Sequence, residues 1–293
     1  MRLHLASAIL SLAAGTLALT ACSPSAPSAQ SKTTVVAAFY PLQYAAEQIG
    51  GTGVNVTNLT QPGVEPHDLE LSAAQVADIA NADLVLYIRG FQPAVDEAVD
   101  QQAADHAIDV AQGLSRLDGP EGSDPHVWLD PANMSQIGAV TAARLAAIDP
   151  DKAKVFSQNA SALSASMTAL SADFAKALAH CPTTTIVVSH QAFGYLAHAL
   201  GFTQVGISGL NPEAEPSPAR MREVADVIRR NGVTTIYYES LVDPKVAQTI
   251  AEETGAKPVM LDPLEGLRPG SKGDYVSVML DNLKTLKTGQ MCS

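Results

Sequence analysis

The chain has 293 residues, 46% hydrophobic and 16% charged, and its 18 Lys and Arg face 30 Asp and Glu for a formal net charge of -12. An acidic chain with no Lys/Arg-rich run repels a phosphate backbone, which excludes nucleic acid as a partner, and abundant apolar residues exclude general disorder. The length fits one large or two modest domains, and the three cysteines, Cys22, Cys181 and Cys292, stand too far apart for a disulfide scaffold or a CxxC zinc knuckle.

Residues 1–21 carry one strong cation, Arg2, ahead of an apolar, small-residue run from Leu5 to Leu19. That run is shorter than the roughly 20 residues of a spanning helix, and a processing signature ends it, so it reads as a secretory signal. The signature Leu19-Thr20-Ala21-Cys22 resembles a bacterial lipobox. The resemblance implies cleavage before Cys22 and a diacylglycerol on its sulfur; an ordinary secretory signal with an incidental cysteine is the alternative. Residues 22–32 follow as a Ser/Pro/Ala/Gln tether. No later run approaches 18 apolar residues, so the mature chain is expected to hang from the membrane by lipid alone. In an oxidising compartment Cys181 and Cys292 are expected to form a disulfide, with two free buried thiols as the alternative.

From residue 33 onward short β-branched runs alternate with amphipathic stretches. Thr33 to Phe39, Val54 to Thr60, Leu84 to Ile88 and Ala107 to Val110 read as strands, with helices at Leu42 to Ile49, Ser72 to Ala80 and Pro93 to Ala103. The alternation predicts a parallel sheet covered on both faces, an α/β lobe over 33–149. Residues 150–180 read as one long helix with apolar positions at Val155, Phe156, Leu163, Met167, Leu170, Phe174 and Leu178, ended by Pro182. About 28 residues at 1.5 Å each reach roughly 40 Å, enough to run along two stacked lobes. A plain surface helix of one domain fits the same pattern. The alternation returns over 181–293, with strands at Thr184 to Ser189, Thr203 to Ile207, Thr234 to Tyr238 and Lys257 to Leu261, and helices at Ala192 to Leu200, Pro218 to Asn231 and Pro244 to Thr254. The expected architecture is therefore two α/β lobes, each with a mostly parallel four-stranded sheet, joined by one backbone helix.

His67, His126, His190 and Asp262 all lie beyond the carboxyl ends of predicted parallel strands, where open α/β sheets bind ligands, and two come from each half. If the halves face each other, these side chains converge. Three imidazoles and one carboxylate suit tetrahedral Zn2+, whereas Mn2+ favours a carboxylate in place of His190. Asp262, followed by Pro263, also fits a turn opener. His4, His106, His180 and His198 fall in the signal, before a strand, or on helices, and are set aside. Glu239 also ends a strand; it reads as an acceptor behind a ligand imidazole, a competitor for the fourth position, or a rim carboxylate paired with a backbone donor.

The segments Gly63-Val64-Glu65-Pro66-His67-Asp68-Leu69-Glu70-Leu71, Asp124-Pro125-His126-Val127-Trp128-Leu129-Asp130-Pro131, Ser189-His190-Gln191-Ala192-Phe193-Gly194-Tyr195, Pro212-Glu213-Ala214-Glu215-Pro216-Ser217-Pro218 and Leu261-Asp262-Pro263-Leu264 resemble those of the zinc/manganese solute-binding proteins of bacterial ABC importers. The resemblance spans the mature chain. It implies a monomeric, non-enzymatic carrier at the outer face of the cytoplasmic membrane or in the periplasm, with a metal buried between two lobes and an ABC importer permease as partner. It also implies the ligand set His67, His126, His190 and Asp262. Histidine at the third position resembles the zinc-selective members, with manganese as the alternative cargo. One departure is the segment from Ala111 to Ser123, which holds Asp118 and Glu121 but no His, where many zinc members carry a His-rich mobile loop. A secreted zinc hydrolase is the competing reading from another class; it needs an open coordination position and a general base, and the chain has no HExxH motif.

Overall fold

The computed structural model describes residues 32–293; the expected signal, the Cys22 lipidation site and all of the tether but Lys32 lie outside the described residues. In the first lobe the elements run β1 (Thr33–Ala37), α1 (Tyr40–Gly50), β2 (Val54–Asn58), α2 (Ala73–Asn81), β3 (Leu84–Tyr87), α3 (Pro93–Gln102) and β4 (Ala107–Asp109). A two-residue hairpin of β5 (Asp118–Gly119) and β6 (Gly122–Ser123) follows, then α4 (Pro131–Ile148) and the long α5 (Ala153–Ala177). The second lobe runs β7 (Thr185–Val188), α6 (Gly194–Leu200), β8 (Thr203–Gly206), α7 (Pro218–Asn231), β9 (Thr235–Tyr238), α8 (Lys245–Thr254), β10 (Lys257–Met260) and α9 (Tyr275–Gly289).

Both large sheets are parallel and four-stranded, in the orders β2-β1-β3-β4 and β10-β9-β7-β8. Their central strands are buried runs, Leu84-Val85-Leu86-Tyr87 in β3 and Thr185-Ile186-Val187-Val188 in β7, as expected when helices cover both faces. Strand order reverses direction between β1 and β3 and between β7 and β9, so each sheet has a switch point that opens a crevice beyond its strand ends.

Two helices escape the periodicity argument. The buried side of α4 is Met134, Ile137 and Leu145 diluted by Gly138 and Ala142, too sparse an apolar stripe to stand out from the small residues around it. The other is α9, capped by Asp274, whose side chain accepts the Ser277 N–H. The long linker begins as a 3-10 turn at Pro150–Lys152 before α5 proper, and it buries Phe156, Leu163, Met167, Leu170 and Phe174. Val155, expected on that stripe, is 48% exposed.

One apolar core runs without a break from the first sheet through α4 and α5 to α6, α9 and the Ile186–Val188 face of the second sheet. A second cluster, including Val224, Ile228, Ile236 and Ile250, fills the side of the second sheet under α7 and α8. Cys181 and Cys292 form the expected disulfide.

Candidate metal centre

His67 lies in the loop after β2, His126 opens the short turn before α4, and His190 follows β7. All three are buried, with His126 and His190 at 0% and 1% exposure. Their Nε2 atoms converge on Glu265 Oε1: the separations are 3.5 Å from His67, 3.2 Å from His126 and 3.0 Å from His190. His126 Nε2 is also 3.3 Å from the Nε2 of both His67 and His190. A tetrahedral zinc ion with bonds of about 2.0–2.1 Å holds its ligands about 3.3–3.4 Å apart. Five of the six edges of such a tetrahedron are thus present within a few tenths of an ångström, and all four donor atoms lie within 4.8 Å of one another.

The second oxygen, Glu265 Oε2, is buried and has no hydrogen-bonding partner. A buried carboxylate oxygen left unpaired costs free energy that a cation would recover, so the donor chemistry fits a metal dication.

Behind the group, two carboxylates set the ring orientations. Asp124 Oδ1 lies 2.7 Å from His126 Nδ1 and also accepts the His126 backbone N–H at 2.9 Å. Glu239 Oε1 lies 2.8 Å from His190 Nδ1 and accepts the Ser189 hydroxyl. Each bond holds a proton on Nδ1, so that Nε2 is the atom that would give its lone pair to a metal once its own proton is displaced. Glu239 thus stands as a hydrogen-bond acceptor behind the His190 imidazole. Asp124 carried a readable signal, a carboxylate two residues before the histidine with proline between, a spacing that favours a local turn bond. Glu65 accepts the backbone N–H of His67 at 3.1 Å and of Asp68 at 3.3 Å.

Asp262 is not among the converging groups. Its Oδ1 accepts the Leu264 N–H at 2.9 Å and its Oδ2 the Ser240 hydroxyl at 3.2 Å, while Asn282 pairs with its backbone N–H and C=O. The Asp-Pro pair is therefore a turn opener, the alternative its sequence allowed. Leu264, at φ 55, turns the chain back so that Glu265 points at the histidines. The carboxylate is thus delivered from the loop beyond the β10 end, and Asp262 holds that loop.

Contacts between the lobes fix the geometry. Trp128 Nε1 donates to Pro263 O at 2.8 Å, and the Tyr275 hydroxyl donates to Trp128 O at 2.6 Å. The loop carrying His67 meets the loop carrying Glu265 where Gly63 N–H donates to Leu267 O at 2.9 Å. Gly63 has φ 87, and a Cβ there would approach Pro269 Cγ at 2.6 Å; only glycine permits that approach. The hairpin formed within the His-free segment also crosses between lobes, Glu121 Oε2 accepting the Leu210 N–H at 2.8 Å.

The charges interlock. Burial opposes a charged His190, but Glu265 and Glu239 outweigh it and push its pKa up to about 10. Burial likewise opposes charge on His126, and the Asp124 and Glu265 carboxylates reverse that, raising it. Burial dominates at His67 and lowers it. Burial disfavours the charged form of Glu265, yet the three imidazoles hold it well below the usual carboxylate range. Without metal the site is therefore a carboxylate paired with at least one imidazolium, and a dication would replace that proton.

Fold and site together define a bilobed α/β protein with a buried group of three histidines and one carboxylate at the junction of two parallel sheets. The chain belongs to the family described as ZnuA, zinc-uptake complex component A, periplasmic, whose model matches residues 35–289. It is 34% identical over 293 residues to the zinc-binding lipoprotein AdcA of Streptococcus pneumoniae strain TIGR4, covering 92% of this chain and 58% of that protein. The chain thus spans little more than half the length of that curated relative. The high-affinity zinc uptake system protein ZnuA of Bacillus subtilis strain 168 is 32% identical over 284 residues, covering 90% of this chain and 89% of that one. Among solved structures, the Zn(II)-bound ZnuA-like domain of S. pneumoniae AdcA superposes with a TM-score of 0.78 at 35% identity, covering 89% of this chain and 99% of that one.

Proposed function

We propose that this protein is an extracytoplasmic zinc-binding lipoprotein that captures Zn2+ between its lobes and hands it to an ABC importer permease. The carrying observation is the cluster itself: His67, His126, His190 and Glu265 present four donor atoms at the spacing of a tetrahedral zinc shell. Glu265 replaces Asp262 as the fourth ligand of this reading. Three imidazoles with one carboxylate favour zinc over manganese, which prefers more oxygen. Family membership supports uptake as the role, the names of the relatives support zinc as the cargo, and the name of the AdcA lipoprotein supports a lipid anchor, for which the lipobox-like signature offers Cys22. Nothing in those relatives supports a hydrolase. A carrier that does no chemistry needs no open coordination position, and four protein ligands leave none.

The test is a metal analysis of the mature protein purified without added metal, followed by calorimetric titration with zinc and by competition with manganese. One equivalent of zinc, bound tightly and lost in a His126→Ala/His190→Ala protein, is expected. Binding unaltered in that variant, or a preference for manganese, would overturn the reading.

A further inference from the structure

The three histidines of the centre are not held alike. Carboxylates stand behind His126 Nδ1 at 2.7 Å and His190 Nδ1 at 2.8 Å, whereas among the described residues no group hydrogen-bonds His67 Nδ1, and Glu65 accepts the His67 backbone N–H rather than its ring. What meets the His67 ring is Phe91. Their centroids lie 4.6 Å apart with the planes at 72°, an edge-to-face pair, while the next histidine, His126, is 6.0 Å from the same phenyl ring. Phe91 is buried and is fixed in turn by Phe39 at 4.6 Å and Trp128 at 5.1 Å.

The turn that carries Phe91 also secures the root of the His67 loop. Residues 88–92 follow β3, and the Phe91 N–H donates to Ile88 O at 3.2 Å to close the turn. Buried Gln92 donates from Nε2 to Thr60 Oγ1 at 3.1 Å, and the Thr60 hydroxyl donates to Ala38 O at 2.8 Å. Thr60 is where the chain leaves β2 for His67. One turn therefore engages the His67 loop twice, at its root through Gln92 and at the imidazole through Phe91.

We propose that Phe91 is the positioning residue of His67, and that His67, held by a ring where its partners are held by carboxylates, is the first of the four donors to let the zinc go. A carboxylate behind an imidazole fixes the ring and also raises its basicity, which strengthens the bond to a metal. An aromatic neighbour fixes the plane of the ring and supplies no charge. The exposures agree, 8% for His67 against 0% for His126 and 1% for His190. His67 can therefore leave a bound ion without any movement of the other two. The inference rests on the zinc-binding reading.

The experiment loads each protein with one equivalent of zinc and follows its release by stopped flow into an excess of a chromophoric chelator. Phe91→Leu is compared with Phe39→Leu, a buried neighbour in the same aromatic group whose ring partners are Phe91 and Trp128. Phe91→Leu should release zinc about fivefold faster than the wild type, the factor to which a mid-range edge-to-face pair converts. Phe39→Leu should stay within about twofold of the wild type, although both variants lower the melting temperature of the metal-free protein. Phe91→Met, which keeps the bulk and loses the ring, carries the same expectation should the leucine variant fail to fold. In His67→Ala protein, where the imidazole that Phe91 holds is gone, adding Phe91→Leu should weaken zinc binding no further by chelator competition. Release from Phe91→Leu no faster than from Phe39→Leu would overturn the proposal, as would a further loss in the His67→Ala background. Absence of zinc uptake by the wild type would instead overturn the zinc-binding reading, and the proposal with it.

Discussion

A Cβ added to Gly194 would lie 2.5 Å from Asp124 Oδ2, so a glycine at the start of α6 in the second lobe makes room for the carboxylate that orients His126 from the first. Next to it, the Tyr195 hydroxyl donates to Asp124 O and accepts the Leu117 N–H, each at 3.0 Å. The second lobe therefore grips the support of a candidate ligand carried by the first. Gly194→Ala is expected to weaken zinc binding about tenfold, the lower end of what removing a ligand's outer partner costs. Asp124→Ala should do at least as much, and Gly194→Ala added to it should cost nothing further, because the clash has gone. Chelator competition measures all three; additive losses would show that Gly194 acts by some other route.

Glu265→Gln and Asp262→Asn separate ligand from loop support. The first removes the charge that the three imidazoles face and should lower zinc affinity by a hundredfold or more, on the order of 3 kcal/mol for a charged partner. The second keeps an oxygen able to accept the Leu264 N–H, and should cost about 1 kcal/mol of stability with affinity inside a factor of about ten. A larger affinity loss from Asp262→Asn than from Glu265→Gln would restore Asp262 to the ligand set.

On the zinc-binding reading, zinc competes with protons here. In the metal-free protein His190, at about 10 against an ordinary 6.5, is charged at pH 8, while His67, lowered by burial, is already neutral. Binding at pH 8 should release about one proton or more, so affinity falls as pH falls. Calorimetry in two buffers of different ionisation enthalpy reads the release directly, and heats independent of buffer would contradict it. For the metal-free fold the sign follows from the raised value: His190 contributes stability in full below about 6.5 and loses it as pH rises toward 10. A melting temperature that increased over that interval would oppose this.

The Cys181–Cys292 bridge spans 111 residues of sequence, for which loop closure predicts roughly 4–5 kcal/mol, with 2–5 the usual cost of losing a native disulfide. Cys181 precedes the start of β7, whereas His190 follows its end. Reduction should therefore lower the melting temperature by several degrees and leave zinc affinity within about twofold. A parallel loss of affinity would mean that the two ends of the second sheet communicate.

The parallel sheets were legible because buried central strands such as Leu84-Val85-Leu86-Tyr87 appear as unbroken apolar runs. The three histidines were legible because strand ends are where such sheets bind ligands. Glu265 was not, since the same rule stops at Asp262, two residues beyond β10. Recognising the glutamate requires knowing that Leu264 takes a positive φ, and nothing in a leucine announces that. The α4 helix was hidden for another reason: its alanines and glycine fit against α5 by closeness rather than by a wide apolar stripe. The His-free segment, expected only as a departure from the family pattern, proved to be a hairpin whose Glu121 reaches the opposite lobe.

The disulfide has a topological meaning apart from its energy. Ser293 N–H donates to His180 O at 3.0 Å beside the bridge, so residues 180–181 and 292–293 meet at one point at the foot of α5. Residues 181–292 form one covalently closed circle. A protease that cuts one bond inside that circle opens it into a line still joined to α5 at Cys181, and no fragment can leave until a second cut or a reductant arrives. For a protein that works outside the cell, the lobe supplying His190 and Glu265 would survive a wound that would sever an ordinary domain.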